Sequence, residues 1–356
     1  MSNLYRRLIR PAAFALDAET AHEIGIESLR LGLASELAQR IAVKRFACEP
    51  FPLMERFGLT FAKPLGMAAG FDKNGIVVNQ LAALGFGFVE VGTVTLNPQK
   101  GNDKPRLFRL TEDQALINRL GFNNEGAVAV AHRLKRLQRR CIVGVNIGRN
   151  KDVPNKEAVE NYIACFDLVH EVADYVAVNI SSPNTPNLRD LQRGENLEEL
   201  LGALRDRNRE KPLLVKIAPD LTEPEMEEIV DTCMRLGVAG IIATNTTVAR
   251  TGLRSRDIDA IGAGGLSGQP LLQRSNEVIR SIYRHSKGLL PIIGVGGVFS
   301  AEDAFDKIAA GACLVQAYTG FIYKGPVFAR DINNGLLNIL KERGFASVDA
   351  AIGCDA

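Results

Sequence analysis

No apolar stretch in this 356-residue sequence approaches the ~20 residues a helix needs to cross a bilayer. The N-terminus lacks the uninterrupted apolar core of a signal peptide, because Pro11 and Asp17 leave no room for one. No cleaved targeting segment is therefore expected. Among the six cysteines (Cys48, Cys141, Cys165, Cys233, Cys313 and Cys354) no two form a C-x-x-C pair. Zinc and iron–sulfur spacings are thus missing, and no metal is expected. Cys141 and Cys313 open apolar runs and read as buried, inert thiols, and the scatter suits a reducing cytoplasm. An excess of one charge is missing too: a formal net charge of +2 is too balanced for a nucleic-acid surface. Histidine is scarce, and His22, His132, His170 and His285 all fall in predicted helices. No Ser-His-Asp triad can be assembled from them, which argues against hydrolase chemistry.

What remains is a globular composition, 46% hydrophobic and 24% charged, in a chain long enough for one large domain plus a small one, or for two ordinary domains. From about residue 64 a unit recurs: a short apolar run ends in Gly, Asn, Ser, Thr or Lys, and an amphipathic stretch follows. The runs are Pro64–Gly70, Phe86–Thr93, Cys141–Gly148, Tyr175–Ser181, Leu213–Ala218, Gly240–Thr246, Pro291–Gly297 and Cys313–Thr319. Most are continuously apolar rather than alternating, as parallel strands covered on both faces are. Between them, Thr222 predicts the start of a helix to Leu236, and Ser300 the start of one that stops at Gly311. Eight such units predict an α/β fold, a (β/α)₈ TIM barrel, with a doubly wound open sheet as the alternative. Three connections are long, Val94 to Gly126, Ser182 to Asn196 and Thr247 to Pro270, and barrels build sites from such loops.

Residues 1–45 stand outside the repeat and predict a small helical domain ahead of a barrel domain over 46–356. Asp17 reads as the cap of a helix to about Gly32, with His22, Ile26, Leu29 and Leu33 as one apolar stripe broadened by Ile24, Ser28 and Leu31. A shorter helix before it is expected to end near Pro11. The pair reads either as a cap packed on the barrel or as a membrane-surface element, with Arg6, Arg7 and Arg10 toward anionic headgroups.

The strand ends are rich in groups that could bind a planar polar ligand. Thr93, Asn146, Asn179, Thr244, Asn245 and Thr246 end strands, while Asn118, Asn123 and Asn124 lie in the long second loop. Carboxamides both donate and accept, as a ring with alternating C=O and N–H edges requires. Turns and caps also use Asn, and only convergence of several favours a site. Lys216 lies between Val215 and Ile217 inside an apolar strand, so its ammonium should point into the barrel mouth. A buried ammonium must pair with an anion or shift its pKa, which suits either anion binding or a Schiff base. Lys73 follows the same logic but could equally be a surface lysine. Gly294–Gly297 and Tyr318–Gly320 follow strands seven and eight, where barrels commonly hold phosphate. Prolines stiffen the loop Ser181–Pro186, where a serine acting as base would need a proton outlet.

Seven stretches stand in order: Ala68–Lys73, Gly85–Thr93, Asn118–Asn124, Asn179–Pro186, Val215–Pro219, Ala243–Thr247 and Gly264–Gly268. As an ordered set they resemble the dihydroorotate dehydrogenase family, from about residue 18 to residue 328. That resemblance implies oxidation of dihydroorotate to orotate in pyrimidine synthesis, with FMN accepting a hydride from C6 and a base removing the C5 proton. The base position falls on Ser182. A Ser rather than a Cys there, and the helical extension, indicate the quinone-dependent branch. By the same resemblance orotate is held by Lys73, Asn118, Arg119, Leu120, Gly121, Phe122, Asn179, Asn184, Asn245 and Thr246. FMN is held by Ala69, Gly70, Thr93, Asn146, Asn179, Lys216, Thr244, Gly268, Gly297, Tyr318 and Thr319. The quinone is expected to enter between the helices and the barrel, past His22, Arg109 and Tyr318, although His22 could be a packing histidine. Peripheral association with the cytoplasmic side of the inner membrane is implied as well.

Overall fold

Each of the eight apolar runs coincides with one strand of a closed parallel barrel, the second strand running one residue past its run, in a computed structural model that describes residues 4–256 and 258–356. The strands are β1 (Leu65–Met67), β2 (Phe88–Val94), β3 (Ile142–Ile147), β4 (Tyr175–Asn179), β5 (Leu213–Ile217), β6 (Gly240–Ala243), β7 (Ile292–Val295) and β8 (Leu314–Ala317). β1 pairs with β2 through Gly66 and Phe88, and with β8 through Leu65 and Val315, so the sheet closes and the open-sheet alternative falls. Every residue of β2, β4 and β5 is buried, because side chains fill the barrel on one face and helices cover the other.

The expected helices follow Thr222 and Ser300. Both carry a reciprocal capping box, Thr222 with Glu225 and Ser300 with Asp303, which satisfies backbone donors that a first turn leaves free. Cys313 is buried and Cys141 only half-buried, and desolvation pushes their thiols up, to about 11 and about 12. Neither is a thiolate at neutral pH.

Two small sheets add to the barrel. An antiparallel hairpin, Met54–Arg56 with Leu59–Phe61, packs Phe61 edge-on against Phe88 at 5.3 Å, at the amino-terminal end of β2. On the opposite side, strands Leu107–Leu110, Ala115–Asn118 and Gly265–Gly268 form an antiparallel sheet from two of the three long connections. It has a minor core of its own, Leu110, Ala115, Ile117 and Leu266.

Ahead of the barrel run α1 (Arg10–Ala15), α2 (Ala18–Gly32) and α3 (Glu36–Arg45). The first three residues of the expected 1–45 segment lie outside the described residues. The expected stop at Pro11 is corrected: a π-helical turn over Tyr5–Ile9 leads directly into α1, Pro11 falls just past their junction, and the helical run goes on to Ala15. Asp17 caps α2 by accepting from the Glu19 and Thr20 backbone N–H groups at 3.0 Å each. His22, Ile26, Leu29 and Leu33 lie on the half-buried face, whereas Ile24, Ser28 and Leu31 are exposed, so the covered stripe is narrower than the sequence suggested. No helix among the described residues is long and apolar enough to cross a membrane.

Candidate active site

The carboxyl ends of the barrel strands and the three-stranded sheet border one cleft. Its floor is a buried polar cluster inside the barrel. Glu90 on β2 accepts from Asn146 Nδ2 at 2.9 Å, Gln316 Nε2 at 2.8 Å and the Tyr175 hydroxyl at 3.1 Å. Lys216 Nζ on β5 stands 3.5 Å from the same carboxylate. Charges in so dry a place persist only when paired and hydrogen-bonded. Glu90 escaped the sequence reading although it carries the same signal as Lys216, a lone charge in an apolar strand. The two charges have opposite sign, and that could have paired them.

Above the floor the strand-end amides interlock. Thr93 Oγ1 donates to Asn146 Oδ1 at 2.6 Å, and Asn179 Nδ2 donates to both, at 2.9 and 3.1 Å. Asn245 Nδ2 donates to Asn179 Oδ1 at 3.2 Å and to Ser181 Oγ at 2.9 Å. On the far side Asn184 Nδ2 donates to Asn118 Oδ1 at 3.1 Å, and the Asn184 backbone N–H donates to Ser182 Oγ at 3.2 Å. Residues from β2, β3 and β4, from the turn after β6, from the loop after β4 and from the strand ending in Asn118 are thereby fixed before any ligand arrives, and such rigidity lowers the cost of binding.

Lys73 enters from the loop after β1. Buried Asp72 shapes that loop by accepting from the Ile76 and Val77 backbone N–H groups at 2.8 and 2.7 Å. Lys73 Nζ donates to Asn123 Oδ1 at 2.8 Å. Burial above all, with the Arg106 and Lys104 charges, lowers its ammonium to about 8 despite the opposing Glu19 and Glu23. Such a group, lining the cleft, is poised for an anion. Ser182 and Lys216 line the same cleft, together with Asn179, Thr244 and Thr246.

The loops after β7 and β8 supply the glycine-rich end. Gly297 has φ +75°, and a Cβ there would lie 2.5 Å from the Leu272 backbone. At Gly268, φ +106°, a Cβ would lie 2.4 Å from the Gln114 carbonyl oxygen. Only glycine brings the backbone this close. Thr319 Oγ1 sits 3.0 Å from Ser267 Oγ beside them. Leu107, Leu116, Leu271 and Val295 give the cleft its apolar wall, which the polarity of the strand ends does not announce.

Two sequence candidates turn away from the cleft. Arg119 does not line it: the guanidinium stacks 4.6 Å over Phe108, and Nε donates to the Pro105 carbonyl. Asn146 is wholly buried one layer below, holding Thr93 and Asn179.

The three tunnel candidates divide. Tyr318 lines the cleft and meets Phe71 edge-on at 5.8 Å, and Phe71 meets His22 edge-on at 5.1 Å. An aromatic line thus runs from α2 to the cleft. Desolvation, aided by the Lys73 charge, lowers the His22 imidazole to about 4, so it is neutral at physiological pH. Arg109 does something else. Its guanidinium donates to the Phe14 and Leu16 carbonyls at 3.0 and 2.9 Å and stacks 4.7 Å over Phe14, fastening the end of α1.

Residues 54–340 match the family model described as Dihydroorotate dehydrogenase. A protein of Roseiflexus castenholzii named dihydroorotate dehydrogenase (quinone) is 54% identical over 98% of this chain and 96% of its own length. One of Christiangramia forsetii with the same name is 50% identical over 94% and 99%. The crystal structure of ligand-free DHODH from Eimeria tenella superposes with a TM-score of 0.86 at 39% identity, covering 95% of this chain and 99% of that one.

Proposed function

Since the chain belongs to the dihydroorotate dehydrogenase family, an oxidoreductase family, we propose that it oxidises dihydroorotate to orotate in pyrimidine synthesis and passes the electrons to a quinone. The observation that carries this reading is the meeting of Ser182, Lys73, Lys216 and the interlocked carboxamides around one cleft.

FMN suits the cleft on the chemistry of what lines it. Gly268 and Gly297 leave backbone bare where a phosphate needs N–H donors, and the leucine wall suits an isoalloxazine ring. Ala69, Gly70, Thr93, Asn179, Lys216, Thr244, Tyr318 and Thr319 are the lining residues that would hold it, with Asn146 bracing Thr93 and Asn179 from below. When bound, FMN supplies the hydride acceptor.

The protein does the rest. Lys73 pairs with the substrate carboxylate, and Asn118, Asn179, Asn184, Asn245 and Thr246 match the alternating edges of the pyrimidine. Leu120, Gly121 and Phe122 give that segment its wall. Ser182 Oγ, aimed by the Asn184 N–H, takes the C5 proton while its own hydroxyl proton passes out to water. Lys216 Nζ stands 3.5 Å from the Glu90 carboxylate, engaged in an ion pair on the floor rather than presented to a carbonyl, which disfavours a Schiff-base lyase.

The segment 1–45 serves quinone access and peripheral association with the cytoplasmic face of the inner membrane in this reading. Leu4, Leu8, Leu31, Leu37 and Ile41 are exposed on it, beside exposed Arg6 and Arg7, a pattern suited to an anionic interface. His22 and Tyr318 flank the entry path, and Arg109 holds its outer helix.

The purified protein should be yellow, and dihydroorotate should bleach it anaerobically. A colourless protein that stays inert after FMN is added rejects the reading.

A further inference from the structure

Building on that function, we propose that Glu19 of α2 is a positioning residue for the substrate pocket: through Arg106 it holds the 100–106 loop against the backbone that presents Asn118 to Phe122.

The link is a buried ion pair between the helical segment and the barrel. Both side chains are 7% exposed. Arg106 Nη2 donates to Glu19 Oε1 at 2.7 Å and Nε to Oε2 at 3.0 Å, a bidentate grip. The remaining nitrogen, Nη1, donates to the Lys100 and Asn102 carbonyls at 2.7 Å each. One guanidinium therefore ties α2 to both sides of a loop. Lys104 adds a second cation 3.5 Å from Glu19. Burial alone would raise the Glu19 carboxyl, but the Arg106 hydrogen bonds and charge, with Lys104 and Lys73, outweigh it and keep it ionised.

Asn102 passes the restraint on. Its backbone N–H donates to the Leu120 carbonyl at 3.0 Å, and its Nδ2 donates to the Arg119 carbonyl at 2.9 Å and the Asn184 carbonyl at 3.4 Å. Two of those carbonyls belong to the segment that ends in Phe122, and the third to the loop of Ser182. There is no slack between the layers: a Cβ on Gly121 would lie 2.8 Å from the Asn102 side chain, and one on Gly101 would lie 2.3 Å from the Leu120 oxygen. Displacing α2 leaves Arg106 a buried cation without its carboxylate, which it can relieve only by moving toward water and taking the loop along. The dihydroorotate pocket is thus set by an element whose exposed face suits the quinone side.

The test uses the full-length, FMN-loaded protein, with orotate binding followed by calorimetry and folding by thermal melting. Glu19→Ala should weaken orotate about tenfold or more and raise the dihydroorotate KM alike, with kcat toward a soluble quinone within about twofold. Glu19→Gln, which keeps an oxygen for Arg106, should fall between Glu19→Ala and the parent. Combining Glu19→Ala with Arg106→Met should be less than additive in orotate affinity. A Glu19→Ala protein that melts lower yet binds orotate like the parent overturns the proposal, leaving the pair a staple of the fold. Should Glu19→Ala not fold, unchanged orotate binding by Glu19→Gln has the same force. Failure of the parent itself to bind orotate would instead overturn the function on which this rests.

Discussion

Glu90 and Lys216 face each other across the barrel floor at 3.5 Å, with the carboxylate wholly buried and the lysine side chain 6% exposed. Removing either partner strands a charge in a dry interior. Lys216→Ala should therefore lower stability by roughly 3–5 kcal/mol and strip the flavin, read by chemical denaturation and by absorbance of the purified protein. Retained stability with full colour would refute the pairing as a determinant of the floor.

Ser182 makes a narrower prediction. Ser182→Ala removes a hydroxyl that accepts from the Asn184 N–H and leaves the amide cluster untouched. Flavin reduction by dihydroorotate should slow by about 10²–10⁴-fold while the bound flavin stays at parent level. Stopped-flow bleaching at an unchanged rate would remove Ser182 as base.

Lys73 gives the pH dependence. Its ammonium is lowered to about 8 by burial first, and an anionic ligand binds the protonated form. Below that pH the proton is already present and affinity is flat. Above it each binding event must first take up a proton, so orotate affinity should fall by up to about tenfold per pH unit. Lys73→Met should abolish that slope and cost roughly 2–5 kcal/mol of binding, measured by orotate titrations from pH 6 to 10.

At the glycine-rich end, Gly297→Ala places a methyl 2.5 Å from the Leu272 backbone, at a φ that L residues rarely adopt. The variant should bind FMN at least about tenfold more weakly, because the N–H edge must shift. Equilibrium dialysis with the apoprotein would read it, and parent-like affinity would count against this loop as the phosphate cradle.

Much of this was legible in the amino acids, for identifiable reasons. The eight strands are buried on both faces, so each stands out as a continuous apolar run, and the polar residues that interrupt their ends are those that meet over the floor. The sheet of Leu107–Leu110, Ala115–Asn118 and Gly265–Gly268 was not legible. Its strands are four residues long, and its third member joins from far along the chain, pairing Gly265 with Asn118. Arg119 shows the limit of a matched stretch. It follows Asn118 at the end of a strand, where neighbours point to opposite sides, so one faces the cleft and the other stacks on Phe108. Pro11 misled for a different reason: it falls where a π-helical turn over Tyr5–Ile9 passes into α1, and the change of helix type there carries the chain past a residue that ordinarily stops an α-helix.

Arg106 and Arg109 lie just before and within one short strand of the barrel domain, and they grip two of the three helices ahead of the barrel, α2 by a carboxylate and α1 by its last carbonyls. The helical segment is therefore not a portable cartridge. A chimaera that exchanged it between two barrels would have to carry both arginine sockets with it, and a design that transplanted the helices alone would leave two cations facing empty air.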